Sequence, residues 1–424
     1  MSGESGYGAA QMELAKDLGE GRITLRLVLR AFRYRNYRLY FTGQGLSLFG
    51  TWMQHTAMSW LVYRLSGSAL LLGLTGFAGQ IPSFLLTPVA GVFADRVERR
   101  RLLLWTQVFA MLQATAMAAL VITGEVRVWH IIALSFVLGT VNAFDIPARH
   151  SFVVDMVDNR DDIGNAIALN SSMFHGARLA GPAVAGLLIG SYGEGICFIL
   201  NAVSFLAVIV ALLAMKIRPR EKRLPGSPVL RELFEGLDYA FASVPIKNVL
   251  LLVGLVSLAG MPYIVLMPVF ARDILGGGPQ TLGFLMASSG MGAFAGTLFL
   301  ASRRNAQGLG KIVYGAAIIY FLGIVAFSLS KTLSLSMICL FAAGLGLVVQ
   351  VASGNTILQT IVDEDKRGRV MSLFNMAFLG MAPFGNLLAG GMASGIGVPF
   401  TLLLCAVVCL AGSLRFAGKL KAFP

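Results

Sequence analysis

Twelve long apolar runs joined by short polar connections are what this chain of 424 residues must accommodate, and they leave few folds open. The runs centre near Thr51, Pro82, Leu112, Phe136, Leu179, Phe205, Leu258, Met291, Ile319, Gly344, Met381 and Leu404. A helix of roughly 20 apolar residues crosses the hydrocarbon core of a bilayer. The pattern therefore predicts an all-α membrane protein with twelve transmembrane helices. Composition agrees, with 56% hydrophobic and 13% charged residues and a mean hydropathy of +0.74, values no ordinary soluble chain of this length shows.

A net charge of +13 would suit a nucleic-acid partner, but its distribution points elsewhere. With the N-terminus placed inside and the sides alternating, most Lys and Arg fall in inner segments, and the outer loops keep only Arg64, Arg127, Arg272 and Lys331. That is the positive-inside pattern. It predicts a multi-pass protein of the cell inner membrane with both termini cytoplasmic and no nucleic-acid partner. Cys197, Cys339, Cys405 and Cys409 lie in apolar runs without a C-x-x-C pair, and His55, His130, His150 and His175 lack metal-ligand spacing, so neither a disulfide framework nor a metal site is expected. There is no P-loop lysine motif, and Gly290, Gly292 and Gly296 lack dinucleotide spacing. The chain reads as no enzyme.

Between the second and third runs, Gly91 to Arg101 reads GVFADRVERRR, in which Asp95 is followed by a basic cluster of Arg96, Arg99, Arg100 and Arg101 that also holds Glu98. It is too short for anything but a tight connection. At the corresponding place in the second half, Gly296 to Arg304 reads GTLFLASRR and lacks the acid. In the first run Gln44, Ser47, Thr51, Gln54, His55 and Met58 fall within an arc of roughly 100°. Such a stripe faces a wet cavity or other helices, and the cavity is the expectation. In the fourth run, GTVNAFDIPAR (Gly139 to Arg149) carries Asn142 and sets Asp145 four residues before Arg149, a pair across one turn if the helix continues past Pro147. Arg178, deep in the fifth run, has no acid among its sequence neighbours. It should face the bundle interior, its partner being either Asp145 or an anionic substrate. Gly181, Pro182, Gly186 and Gly190 follow as a kinked, closely packed segment.

Lys216 to Lys247 is basic and interrupted by prolines, yet Leu230, Leu233, Phe234, Leu237 and Phe241 form one apolar face, predicting a short interfacial helix. The expected divisions are a cytoplasmic tail with an amphipathic helix from Arg22 (1–35), a six-helix bundle (36–217), a connecting loop (218–246) and a second six-helix bundle with a short tail (247–424). VDNRDDIGNAIALN from Val157 and VDEDKRGRVMSLFN from Val362 echo each other, each after a span with a polar Asn, Asn142 or Asn355. Ser353, Asn355, Gln359, Asn375 and Asn386 supply the polar side chains of the second half. The sequon-like Asn170-Ser171-Ser172 reads as the start of a helix.

GVFADRVERRR resembles the loop between helices 2 and 3 of the major facilitator superfamily of transporters, G-x-x-x-D-R-x-x-R-R-[RK], at every specified position. SLFGTWMQ from Ser47, NAFDIPAR, NAIALNSSMFHGARLAGP from Asn165 and CFILNAVSFLAV from Cys197 are similar to the branch of siderophore (enterobactin) exporters and macrolide-efflux proteins. The resemblance implies two six-helix bundles around a central cavity, rocking between inward-open and outward-open states. It implies a monomeric secondary transporter that exports a small organic molecule, a siderophore or drug-like compound, against proton entry and without a cofactor. Gly181, Pro182 and Gly186 look like a relaxed form of the family's antiporter signature, with one residue too many before the next glycine and no double glycine. By the same resemblance Gly91, Asp95, Arg96, Arg99 and Arg100 form a gating motif whose acid caps the eleventh helix. Ser47, Thr51, Gln54, His55, Asn142, Asp145, Arg149, His175, Arg178, Asn355 and Gln359 are candidates for substrate contact or coupling. Apart from Asp95 at a span's edge, Asp145 is the sole acid inside one, so a carried proton would also need His55 or His175. A uniporter or lipid-translocating member of the same fold, or a non-transporting receptor or scaffold, is the alternative.

Overall fold

A computed structural model of the protein describes residues 29–216, 229–303, 308–364 and 366–420. These residues form twelve long helices: α1 (Arg35–Ser66), α2 (Ala69–Arg96), α3 (Arg99–Ile122), α4 (Val128–Asp155), α5 (Ile163–Tyr192), α6 (Gly195–Ala214), α7 (Val244–Ile274), α8 (Pro279–Ala301), α9 (Leu309–Leu329), α10 (Leu333–Ile361), α11 (Arg367–Ile396) and α12 (Val398–Leu420). Ten carry an apolar stretch long enough to cross a membrane. The other two, α1 and α5, have 32 and 30 residues and the length to cross, but are more polar.

Local chemistry explains the breaks. Gly67 ends α1 at φ 60°, a left-handed conformation that glycine adopts without penalty. Ser68 then caps α2 by accepting the Leu71 N–H at 3.3 Å. Inside α4, Pro147 cannot donate to the Ala143 carbonyl, yet the helix continues to Asp155, which places Asp145 and Arg149 on one face. By contrast α7 widens into π turns at Val256–Gly260 and Phe270–Ile274, on either side of Pro262 and Pro268. α11 breaks at Met381, two residues before Pro383. Proline removes one backbone hydrogen bond and such turns absorb the misfit.

Two ends can be distinguished by charge. The basic end carries Arg30 to Arg38, Arg99 to Arg101, Lys216, Lys247 and Lys311; the far end carries Arg64, Arg127, Arg272 and Lys331. At the far end a single apolar core unites both sets of six helices, from Met53, Leu61 and Phe198 to Leu266, Phe270, Leu282 and Phe327. At the basic end there are two separate cores. One holds Tyr37, Tyr40, Phe152 and Leu212, the other Val249, Leu252, Leu358 and Phe374. Among the described residues the two halves are thus sealed together at the far end and parted at the basic end.

Two seams make that seal, α5 against α8 and α2 against α11. A methyl built on Gly186 would lie 2.6 Å from the Pro279 carbonyl oxygen, and one on Gly283 2.6 Å from that of Pro182. Gly73 meets the Asn386 carbonyl, and Gly390 that of Ala69, in the same way. Glycine at these places lets backbones touch, the contact that holds helices together where lipid offers no hydrophobic drive. The predicted kink residues Gly181, Pro182 and Gly186 are therefore packing residues, Gly181 lying against Trp52 of α1 and the other two against α8.

The weak internal repeat has a physical counterpart. Asp162, 3% exposed, receives Arg30, Arg33 and the Tyr34 hydroxyl (2.7 Å), while Asn165 accepts the Ala31 N–H at 3.0 Å. Burial pushes the Tyr34 hydroxyl above its usual range, which keeps it a donor. In the second half the Tyr239 hydroxyl donates to Asp363 at 3.0 Å and Arg369 pairs with Glu235 at 2.8 Å. Each stretch after the fourth helix of its half clamps the segment preceding the first. In the second half that segment is the short helix Val229–Ala242, where an interfacial helix is expected. The amphipathic helix expected from Arg22 lies outside the described residues, apart from a single turn at Arg30–Arg33.

Candidate functional site

A cavity of about 360 Å³ opens in the basic half of the first six helices. α1 contributes Gln44, Ser47, Thr51, Trp52 and His55; α4 contributes Asn142, Asp145, Ile146, Arg149 and His150; Gln107 of α3, Asn170 and Phe174 of α5, and Asn201 and Phe205 of α6 complete the polar and aromatic wall. Ile146 and Phe174, though apolar, are 43% and 41% exposed, so this is an open pocket and not a sealed void.

Its most constrained element is the Asp145 carboxylate, 3% exposed. It accepts from Gln107 Nε2 and Thr106 Oγ1, both at 2.7 Å, and from the guanidinium of Arg149 one turn on. A carboxylate removed from water is tolerable only with this kind of neutralisation.

The stripe on α1 divides. Gln44, Ser47, Thr51 and His55 line the cavity, the Thr51 hydroxyl donating to the Ser47 carbonyl at 2.8 Å. Gln54 does not: its amide donates to Gln113 at 2.9 Å and accepts from Asn201 at 2.8 Å. Met58 joins the far-end core. Gln54 is thus held where α3 and α6 close around α1, while His55 beside it still faces the pocket.

Arg178 is not the partner of Asp145, which Arg149 already holds. It lies in a second, narrow cleft between the two sets of helices, with Trp52 and Pro182 on one side and Ile264, Met267, Met286 and Ser289 on the other. Its guanidinium sits over the Trp52 ring at 5.7 Å. His175, one turn earlier, has a buried Nδ1 without a hydrogen-bond partner and lines neither space. Asn355 and Gln359 bond to each other at 2.6 Å on α10, away from the polar cavity. The sequence reading missed Gln107, Asn201 and His150 as cavity residues. It also took Asn170 as a helix start, but α5 begins at Ile163, so Asn170 points into the pocket and accepts from Tyr40 at 3.4 Å.

Arg99 and Arg100 are ties within the first half. Arg99 pairs with Asp155 at 2.8 Å at the end of α4, and Arg100 donates to the Leu212 and Leu213 carbonyls at 2.8 and 2.9 Å. The latter meets orphan carbonyls and the negative pole at the C-terminus of α6. The surroundings of Gly91 and the side chains of Asp95 and Arg96 lie outside the described residues; the backbone there is helical to Arg96.

At the far end the Tyr63 hydroxyl donates to Asp273 across the two halves, with Arg272 over the same ring at 5.8 Å, while Arg64 grips Glu194 through two bonds of 2.6 and 3.2 Å. Tyr63→Phe removes a hydrogen bond to a charged acceptor, about 1.5–3 kcal/mol. Labelling of a cysteine at Thr51 from the far-end face is expected to rise about tenfold or more in that variant; unchanged labelling would show that the bond contributes nothing to the seal.

Residues 28–422 match the transmembrane secretion effector family. The chain is 23% identical to the staphyloferrin A transporter of Staphylococcus aureus over 90% of its own length and 96% of that protein. It is 25% identical to macrolide efflux protein A of Streptococcus pyogenes, over 89% and 96% respectively. A bacterial homolog of the human lysosomal transporter Spinster, solved in an inward-facing and unoccupied conformation, superposes with a TM-score of 0.71 at 14% identity, covering 91% of this chain and 97% of that one. Twelve helices around an opening at one end, a sealed opposite end and a family match over nearly the whole chain agree: this protein belongs to the transmembrane secretion effector family of major facilitator superfamily transporters.

Proposed function

We propose that this transporter exports a small organic molecule, siderophore-like or drug-like, by alternating access, with proton entry as the driving force. It would work as a monomer in the cell inner membrane with both termini cytoplasmic. The observation that carries the reading is the shared far-end core set against two separate basic-end cores, with the polar pocket placed in the parted half. Such an arrangement admits a solute from the basic end while the far end is shut, and glycine seams are contacts that can separate and re-form. Of the named relatives, macrolide efflux protein A supports export, and the staphyloferrin A transporter supports a siderophore-like solute. Asp145 is the acid that lines the pocket, paired with Arg149 one turn on, and is the candidate we assign to proton exchange.

Purified protein in liposomes with an imposed pH gradient tests this. Solute movement that a protonophore abolishes is expected; movement insensitive to it would replace the exporter by a uniporter. Asp95→Asn probes the gate at the basic end. A charge at the N-terminus of α11 in the closed state is worth about 0.3–2 kcal/mol, so export is expected to slow by about two- to thirtyfold. A wild-type rate would remove Asp95 from the gate.

A further inference from the structure

We infer that Arg178 is the anion-binding residue of the transport path, and that the exported compound carries a carboxylate or a comparable anionic oxygen group. This rests on the exporter reading and narrows it to organic anions.

Arg178 stands midway along α5, where an uncompensated cation is costly and such residues serve substrate or ion pathways. Among the described residues it forms no ion pair and no hydrogen bond, and its guanidinium lies over the Trp52 ring. Asp145, Asp155, Glu194 and Asp273 have partners of their own among the described residues: Arg149, Arg99, Arg64 and Tyr63 respectively. The protein thus provides the cation and leaves its counter-charge to come from outside.

The surroundings select the sign and the shape of that counter-charge. Across the cleft the second half offers Met267, Met286 and the Ser289 hydroxyl, which is bonded to the Tyr263 hydroxyl at 2.8 Å. Behind them the Tyr320 hydroxyl is buried without a partner. Hydroxyls can donate to an anion; none of these groups can neutralise a cation. In the adjoining pocket the one buried carboxylate, Asp145, is already occupied by Arg149, Gln107 and Thr106. A guanidinium presents parallel N–H donors that match a carboxylate edge, and the Trp52 face holds it in that plane. Trp52 also lines the polar pocket, so a solute lodged there reaches Arg178 past one side chain. The cleft measures only about 10 Å³ in this state, so an anion enters it as the two halves shift; because both halves wall it, the anion then touches both, as a substrate that drives their rocking must.

The test uses two dyes of similar size and opposite sign, carboxyfluorescein and ethidium, with wild-type protein, Arg178→Gln and Arg178→Lys in liposomes carrying a pH gradient. Wild type is expected to move carboxyfluorescein, Arg178→Gln at least tenfold more slowly, and Arg178→Lys at an intermediate rate, since lysine keeps the charge without the fork. The ligand-free thermal midpoint of Arg178→Gln is expected to rise, because an uncompensated charge has gone. A fall in that midpoint would mark Arg178 as a structural counter-charge and overturn the inference, as would a wild-type carboxyfluorescein rate in Arg178→Gln. Wild-type protein that moves ethidium in place of carboxyfluorescein also overturns it and leaves the exporter reading standing. Movement of neither dye counts against both.

Discussion

Asp145→Ala is expected to abolish export and to lower the stability of the protein by about 3–5 kcal/mol, the usual cost of removing one partner from a buried ion pair. The size follows from what the carboxylate satisfies. Arg149 would be left as an unpaired cation inside α4, and Gln107 and Thr106 would lose the acceptor that each holds at 2.7 Å. Asp145→Asn keeps the shape and loses the charge, so it should fold better than the alanine variant and still fail to couple. The double variant Asp145→Leu/Arg149→Leu separates the two roles. Replacing a whole buried pair by apolar side chains is often neutral for stability, so its thermal midpoint should recover towards wild type while proton-driven solute movement stays lost. If the double variant regained transport as well, the pair would be a structural tie and the coupling acid would lie elsewhere.

The second large effect is expected at the far-end seam. In Gly186→Ala a methyl would fall 2.6 Å from the Pro279 carbonyl oxygen, and in Gly283→Ala 2.6 Å from that of Pro182. Both obstacles are backbone, which cannot rotate aside, so each substitution forces α5 and α8 apart at a cost of about 1–3 kcal/mol. That penalty falls on the state in which the seam is closed, while the internal packing of each half is untouched. A bias of this size shifts the balance between the two states by roughly five- to 150-fold. A cysteine at Ser47, which lines the pocket, reports the shift. With the four native cysteines replaced, it should react faster with a membrane-impermeant maleimide added at the far-end face and more slowly from the basic end. Equal labelling in wild type and variant would mean that the seam does not set the equilibrium.

These two sites differ in how far the sequence alone reveals them. Asp145 and Arg149 are four residues apart, and a helix brings such positions together whatever surrounds it, so their pairing is legible once α4 is known to pass Pro147. The polar stripe of α1 is legible for the same reason, being a local periodicity. The seam was read only as a kinked and closely packed segment, because nothing in α5 names α8 as its neighbour.

By itself, then, the sequence determined the twelve spans, the charge asymmetry between the two ends and the chemistry of α1 and α4, since each depends on residues within one helix or its flanks. The tertiary structure decided which part of the stripe is wet: His55 lines the pocket, while Gln54, its neighbour, is taken by Gln113 and Asn201. It also drew Gln107, Asn170 and Asn201 from three further helices into one wall, and among the described residues left Arg178 without an acid. Only the assembled helices show one core at the far end and two at the basic end. The physical reason is that hydropathy places a helix in the bilayer but says little about its rotation or its neighbours. Lipid is as apolar as a leucine face, so those choices rest on close backbone packing and on a few interhelical hydrogen bonds.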